Sequence, residues 1–307
     1  MRCDPLPARS AGQLRRMPLR RSSAKTVAVI GTGLIGASIG LAARNAGFTV
    51  LGWDSRRSAL RAAKQRGAIH VVAQSLGEAV APAAIVILAA PLDVVIRQLP
   101  EVFARAKTGA LVIDVASVKG GVSARAATLL ARARGVWFVA GHPIAGSERS
   151  GPQAADANLL QGRAFALHAP PQRMRKQAHM AATRFVRKLG AVPIEIAPRA
   201  HDRAIATLSA LPQLASVALA LAASGNGAGN ARRLAGPGYR DATRLAESGF
   251  AMWKPVLEAN RKNVLRSIQA LGKRVELIEG ALRRRDWNAL QRLFSAAATA
   301  RRRVNPR

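Results

Sequence analysis

The sequence predicts an α/β fold in which a doubly wound parallel sheet is followed by an all-helical C-terminal domain. Three observations carry that expectation. Short apolar runs rich in Val and Ile alternate with helical patterns from Lys25 to about Ile196, as strands covered on both faces by crossover helices do. A glycine-rich turn, Gly31-Thr32-Gly33-Leu34-Ile35-Gly36, sits directly behind the first of those runs. After Pro198 the strand-like runs stop, and only helical period and composition remain.

The chain of 307 residues is about twice the usual domain size, so two domains are expected. With 49% hydrophobic residues it can bury sizeable cores. Strands are expected at 27–30, 49–53, 84–89, 110–115, 136–140, 164–169 and 192–196, with helices between them such as 58–66 and 121–134. The helical half is expected at 201–224, 241–247, 253–272, 273–284 and 287–301, broken by the glycines of 225–229 and by Gly236-Pro237-Gly238. The domain boundaries follow: residues 25–197 form the sheet domain and 198–303 the helical one. Residues 1–24, with six arginines, one acid and three prolines, read as a disordered leader or as the product of a start codon placed upstream of Met17.

The turn identifies what the sheet is for. Its first two glycines let the backbone bend sharply and approach a pyrophosphate, its third lets helix pack on strand, and the N–H groups of Leu34 and Ile35 open the helix that receives the charge. Asp54 ends the next strand 23 residues after Gly31, where a ribose-binding carboxylate belongs. The pattern is a Rossmann-type dinucleotide site. Asp54 favours NAD because its charge repels a 2′-phosphate, while Arg56 and Arg57 could pair with one and keep NADP open. Asp54 also suits the cap of the following helix, a role compatible with the first.

Two further loops leave carboxyl ends of expected strands, where open α/β sheets bind ligands. One reads Ala116-Ser117-Val118-Lys119-Gly120, the other Gly141-His142-Pro143-Ile144-Ala145-Gly146-Ser147-Glu148. By position His142 is either an acid/base beside the nicotinamide or a residue that shapes the turn ahead of Pro143. In the helical half, Tyr239-Arg240-Asp241-Ala242-Thr243-Arg244 stands out, although an isolated arginine on a helix is usually solvated.

Composition excludes several classes. The single cysteine, Cys3, rules out a disulfide framework or cysteine-ligated metal, and the five histidines lack paired ligand spacing, so no metal is expected. A reducing, cytoplasmic setting fits. The net charge of +32 attracts polyanions, but the basic residues are dispersed and only 4% of the chain is aromatic, so no specific nucleic-acid partner is expected. Residues 204–223 carry no charge, which is long enough for a membrane span. They are mostly alanine interrupted by Thr207, Ser209, Pro212, Gln213 and Ser216, which favours a helix buried in its own domain or at a dimer interface, and no membrane association.

In this order the motifs VAVIGTGLIGASIG, DVASVKG, GHPIAGSERSG, HDRAIATLSALPQLAS and YRDATRLAESGFAMWKPVLEAN resemble the prephenate/arogenate dehydrogenase family of tyrosine biosynthesis. The resemblance implies oxidative decarboxylation of an anionic cyclohexadienyl substrate with hydride transfer to NAD. It implies that His142, aided by Ser117, accepts the hydrogen bond of the ring hydroxyl, and that Arg244 binds the ring carboxylate. It leaves Lys119 either facing substrate or organising its loop, and gives His201 a matching position. Where many members carry histidine before a Leu-Pro pair, this chain has Ala210, so Ser209 and Gln213 are the candidate contacts to the substrate side chain. The preference between prephenate and arogenate stays open. A homodimer through the helical domains is implied. The alternatives are a related two-domain dehydrogenase for another hydroxy acid, or for an amino analogue of prephenate.

Overall fold

The computed structural model describes residues 26–132, 135–146, 149–224 and 232–304. The leader 1–24, the glycines of 225–229, and Ser147 and Glu148 of the histidine loop lie outside the described residues.

The first half alternates as expected: β1 (Thr26–Ile30), α1 (Leu34–Asn45), β2 (Thr49–Trp53), α2 (Arg57–Gln65), β3 (Val71–Val72), α3 (Leu76–Val80), β4 (Ile85–Leu88), α4 (Leu92–Arg105), β5 (Leu111–Asp114), α5 (Gly120–Leu130), β6 (Trp137–Pro143), β7 (Ala164–His168), α6 (Arg175–Lys188) and β8 (Val192–Glu195). Its eight strands lie in the order β3-β2-β1-β4-β5-β6-β7-β8. The chain winds outward from β1 in one direction, then returns to β4 and winds in the other. The crevice between β1 and β4 is therefore the switch point where such sheets bind ligands.

Two differences from the expected sheet have physical reasons. β3 is only two residues long, too short for a strand pattern to register. β7 runs antiparallel to β6, so the sheet is mostly rather than wholly parallel. A parallel neighbour needs a crossover that carries the chain back to the same end. The connection from β6 to β7 holds a single 3-10 turn, Pro152–Ala154, among its described residues, so the chain re-enters from the end it left.

Both faces of the sheet are covered. In β1, Val27 and Val29 enter one core with Ile39, Ile69, Ile113 and Phe165, while Ala28 and Ile30 enter the other with Leu99, Val102 and Phe138. That alternation is the period of two of a strand, here with apolar residues on both faces.

From Pro198 onward only helices occur among the described residues. α7 (Pro198–Ile205), a π-helical stretch (Ala206–Ala210) and α8 (Leu211–Ala223) form one continuous rod. Pro212 has no N–H to continue the ladder, which is the local reason for the wide turn. Then follow α9 (Pro237–Thr243), a 3-10 turn (Arg244–Glu247), α10 (Phe250–Ala259), α11 (Arg261–Arg283) and α12 (Trp287–Val304). The expected break at 272/273 is absent, because a lone Gly272 costs a helix only about 1 kcal/mol relative to alanine. The break falls at Asn260 instead.

The rod Pro198–Ala223 is long and apolar enough to cross a membrane by length and composition alone. It is not buried within its own domain as one reading expected: Leu208 is 60% and Leu221 67% exposed. The core of the helical half is small, Ala206, Ala210 and Val264 with Leu214, Trp253 and Leu257 against them.

Candidate active site

The glycine turn lies at the switch point. Gly31 has φ +93, and a side chain there would stand 2.7 Å from the backbone of Ala89 and Ala90 at the end of β4. Gly36 allows α1 to rest on the turn, since its missing Cβ would lie 1.9 Å from the Gly31 carbonyl. Gly33 differs: nothing lies within 4 Å of its absent Cβ, so the backbone faces open space where α1 begins. The first-turn N–H groups of a helix, here those of Leu34, Ile35 and Gly36, have no partner within the helix and point out of its N-terminus. A pyrophosphate fits this open, positively polarised cradle.

Asp54 is already engaged. One carboxylate oxygen accepts from the Thr32 N–H at 2.8 Å and the Thr32 hydroxyl at 3.2 Å; the other accepts from the Arg56 N–H at 2.9 Å. The carboxylate thus ties the end of β2 to the turn. Arg56 caps α2 in position, and its exposed guanidinium lies 3.7 Å from Asp54.

The adjacent strands β5 and β6 run parallel, with Asp114 paired to Ala140, so Ser117 and His142 leave the same edge of the sheet. Ser117 and His142 are both half-buried. Beneath them lies a charged pair. Asp114 ends β5 fully buried, and the Lys119 ammonium is bound to its carboxylate and donates to the Gly141 carbonyl at 2.6 Å. The Asp114 carboxylate also accepts from the Ala116 N–H at 3.1 Å and the Gly141 N–H at 3.3 Å. Burial pulls both partners toward neutrality, Asp114 upward and Lys119 downward, while their mutual attraction opposes it. Lys119 is 2% exposed, with its ammonium held by Asp114 and Gly141 inside the loop.

The helical half reaches this edge through α7. His142 Nδ1 lies 3.0 Å from His201 Nε2, and His201 Nδ1 lies 2.8 Å from the Asp202 carboxylate. Asp202 accepts from the Lys119 N–H at 2.8 Å and the Gly120 N–H at 2.9 Å, at the N-terminus of α5. These hydrogen bonds hold the Asp202 carboxyl below its ordinary value despite its burial. Desolvation, followed by the charge of Lys119, holds the His142 imidazole well below its ordinary 6.5. A neutral ring is what a base requires.

The remaining candidates sit farther along the helical half. Ser209 is half-buried on the π-helical stretch. Gln213 is buried; its Nε2 donates to the Leu245 carbonyl at 2.7 Å, and its Oε1 has no partner among the described residues. Ser216 accepts from the Ala246 N–H at 3.0 Å, so α8 grips the two residues that follow Arg244. Arg244 itself is exposed, and no hydrogen bond or ion pair joins it to the His142 cluster among the described residues. The sequence reading missed Asp114 and Asp202. The signal for the first was a carboxylate ending the otherwise apolar run Leu111-Val112-Ile113; for the second, an acid beside His201 at a helix start.

Comparison with known proteins places these features in a family. Residues 39–195 match the model described as prephenate dehydrogenase, nucleotide-binding domain, and residues 197–296 the model described as prephenate dehydrogenase, dimerization domain. A prephenate dehydrogenase of Lactococcus lactis is 31% identical over 275 residues, covering 88% of this chain and 75% of the relative. The crystal structure of Synechocystis arogenate dehydrogenase superposes with a TM-score of 0.77 at 27% identity, covering 91% of this chain and 99% of that one. Prephenate dehydrogenase from A. aeolicus, solved with hydroxyphenyl propionate and NAD+, gives 0.79 at 25% identity, covering 92% and 98%.

Proposed function

The chain belongs to the prephenate/arogenate dehydrogenase family and performs the NAD-dependent oxidative decarboxylation of prephenate or arogenate, and we propose a division of that work among its residues. The observation that carries the functional reading is the match of both halves, in order, to the two domains of one enzyme.

Residues 25–197 hold the dinucleotide and residues 198–303 complete the substrate site and the dimer. Gly31, Gly33, Leu34, Ile35 and Gly36 receive the pyrophosphate, a role supported by the open space at Gly33. Asp54 receives the adenosine ribose and disfavours a 2′-phosphate. Bound NAD supplies the hydride acceptor. The Nε2 of His142 takes the proton of the ring hydroxyl as hydride leaves the same carbon, and Ser117 helps to orient that hydroxyl. Lys119 holds the two loops in register through Asp114 and Gly141. Arg244, whose planar fork suits a carboxylate, holds the ring carboxylate until the bond to the ring breaks. The electron pair of that bond enters the ring, which becomes aromatic, and carbon dioxide departs. Ser209 and Gln213 contact the substrate side chain, with the unpartnered Gln213 Oε1 available as an acceptor.

The working unit is a homodimer joined through the helical halves. Leu208, Leu219, Leu221, Leu265, Val275 and Leu282 are 43–67% exposed in the single chain, and a second copy covers such a surface without lipid. We place the enzyme in the cytoplasm, free of membrane and of a specific nucleic-acid partner. Its charge of +32 steers the anionic substrate.

Steady-state assays with prephenate and with arogenate, each with NAD and with NADP, test the reading. Reduced cofactor is expected from at least one substrate with NAD. None from either would overturn it.

A further inference from the structure

The contact between His142 and the helical half decides which nitrogen of His142 carries a hydrogen. A neutral imidazole has one N–H and one bare nitrogen, and which is which follows from the partner of the other atom. The deduction starts at Asp202. Its carboxylate accepts from the N–H groups of Lys119 and Gly120, at 2.8 and 2.9 Å, which stabilise the ionised, acceptor-only form. His201 Nδ1, at 2.8 Å, must therefore donate to it. A ring with that single N–H offers a bare Nε2, and the His142 Nδ1 that lies 3.0 Å away then donates to it. The remaining nitrogen of His142, Nε2, is left bare.

We propose that His201 and Asp202 are positioning residues that lock His142 in the Nδ1–H tautomer, so that its Nε2 is the base. This rests on the reading of His142 as the base above. In the reaction the substrate O–H bond breaks and an N–H bond forms at His142 Nε2. The oxygen keeps the electron pair and forms the carbonyl as hydride departs. The imidazolium so formed keeps its Nδ1–H bonded to His201 Nε2, and the Asp202 charge stabilises it through the intervening ring. The arrangement follows the logic of the serine-protease triad, in which a carboxylate holds the base histidine in the useful tautomer. Here a second histidine stands between carboxylate and base.

The pair comes from the other half of the molecule. His142 ends a strand of the sheet, whereas His201 and Asp202 belong to α7, both at most 7% exposed. Asp202 seats α7 on the first turn of α5, and Asn260 donates to the Asp202 carbonyl at 2.7 Å from the helix junction beyond. The base is thus set only when the helical half is docked on the sheet. The other charged groups that face the cluster, Lys119 and Asp114, pair with each other and leave the two rings to a single hydrogen-bond path.

The test uses the full chain with 15N-labelled histidine. Nitrogen chemical shifts are expected to show His142 protonated at Nδ1 and bare at Nε2 near neutral pH, and His201 protonated at Nδ1. The opposite His142 tautomer would overturn the proposal whether or not the chain is active. His201→Phe, which keeps a ring of similar size without an acceptor, is expected to lower kcat at least about tenfold, toward the roughly 10⁴-fold loss that a wrong tautomer causes in a triad. KM and NAD affinity are expected to stay within about twofold. His201→Gln, with an amide oxygen able to accept from His142 Nδ1, is expected to recover part of the loss. An unchanged kcat in His201→Phe would overturn the proposal; if that variant does not fold, the wild-type tautomer decides. Should His142→Ala retain activity, the base reading fails instead, and the tautomer measurement still stands alone.

Discussion

The two halves of the molecule treat apolar surface in opposite ways. The sheet domain encloses it: β1, β4, β5 and β6 are nearly all buried, and cores form on both faces of the sheet. Among its described residues the helical half gathers three buried residues into one core cluster and leaves Leu208, Leu221, Phe250 and Phe294 at 60–74% exposure. Parallel strands with helical crossovers close their core within one chain, whereas amphipathic helices need other helices to cover their apolar stripes. The difference separates the chemistry too. His142 and the glycine turn stand on the half that encloses its apolar surface, while Arg244 stands on the half that exposes it.

That contrast can be broken or sharpened by experiment. The largest effect is expected from Lys119→Met, which leaves the fully buried Asp114 without its partner. Removing one member of a buried ion pair costs about 3–5 kcal/mol, so the sheet domain should lose stability on that scale in denaturant unfolding. A loss within experimental error would mean that water or rearrangement satisfies Asp114.

Next comes the division between rate and binding. His142→Ala is expected to lower kcat about a hundredfold or more while sparing NAD affinity. Arg244→Ala is expected mainly to raise KM, by about ten- to a hundredfold, the worth of a charge-assisted pair. If both variants changed only KM, the assignment of chemistry to the sheet half would fail. The pH profile belongs to the same test. Because the His142 pKa is held down, the acid limb of kcat/KM is expected below the ordinary imidazole value of 6.5. The same shift has a sign for stability. Above 6.5 neither the folded nor the unfolded ring holds the extra proton; as pH falls below it the unfolded ring binds one first, so stability declines toward the folded pKa.

The smallest effect concerns company. If the helical half is completed by a second copy, its thermal midpoint should fall by a few degrees on extensive dilution, while a variant such as Leu221→Glu should show the low value at every concentration. A midpoint independent of concentration, with a monomer by sedimentation, would remove the dimer from the reading.

Much of the sheet was legible in the sequence. The runs at 27–30 and 49–53 mark strands because buried parallel strands require unbroken apolar stretches, and Gly31, Gly33 and Gly36 mark the turn because backbone contacts forbid side chains at two of the three. The direction of β7 was not legible, since it depends on what the 144–163 connection does in space. Nor was the continuity of α11 through Gly272, where neighbouring helix formers outweigh one glycine. In the site, His142 and Asp54 could be placed by their position at strand ends. Asp114 could not, because a buried carboxylate makes sense only once its partner Lys119 is seen folded back onto it.

Local pattern alone therefore determined where the glycine turn lies and which strand ends stand beside it. Strand period and turn geometry are properties of neighbouring residues. Tertiary structure alone decided that Lys119 points inward, that Asp202 caps α5, and that His201 meets His142. The Lys119 side chain reaches partners 5 and 22 positions away, and the other contacts join residues 59 and 82–83 positions apart, where no local pattern encodes the docking of two domains.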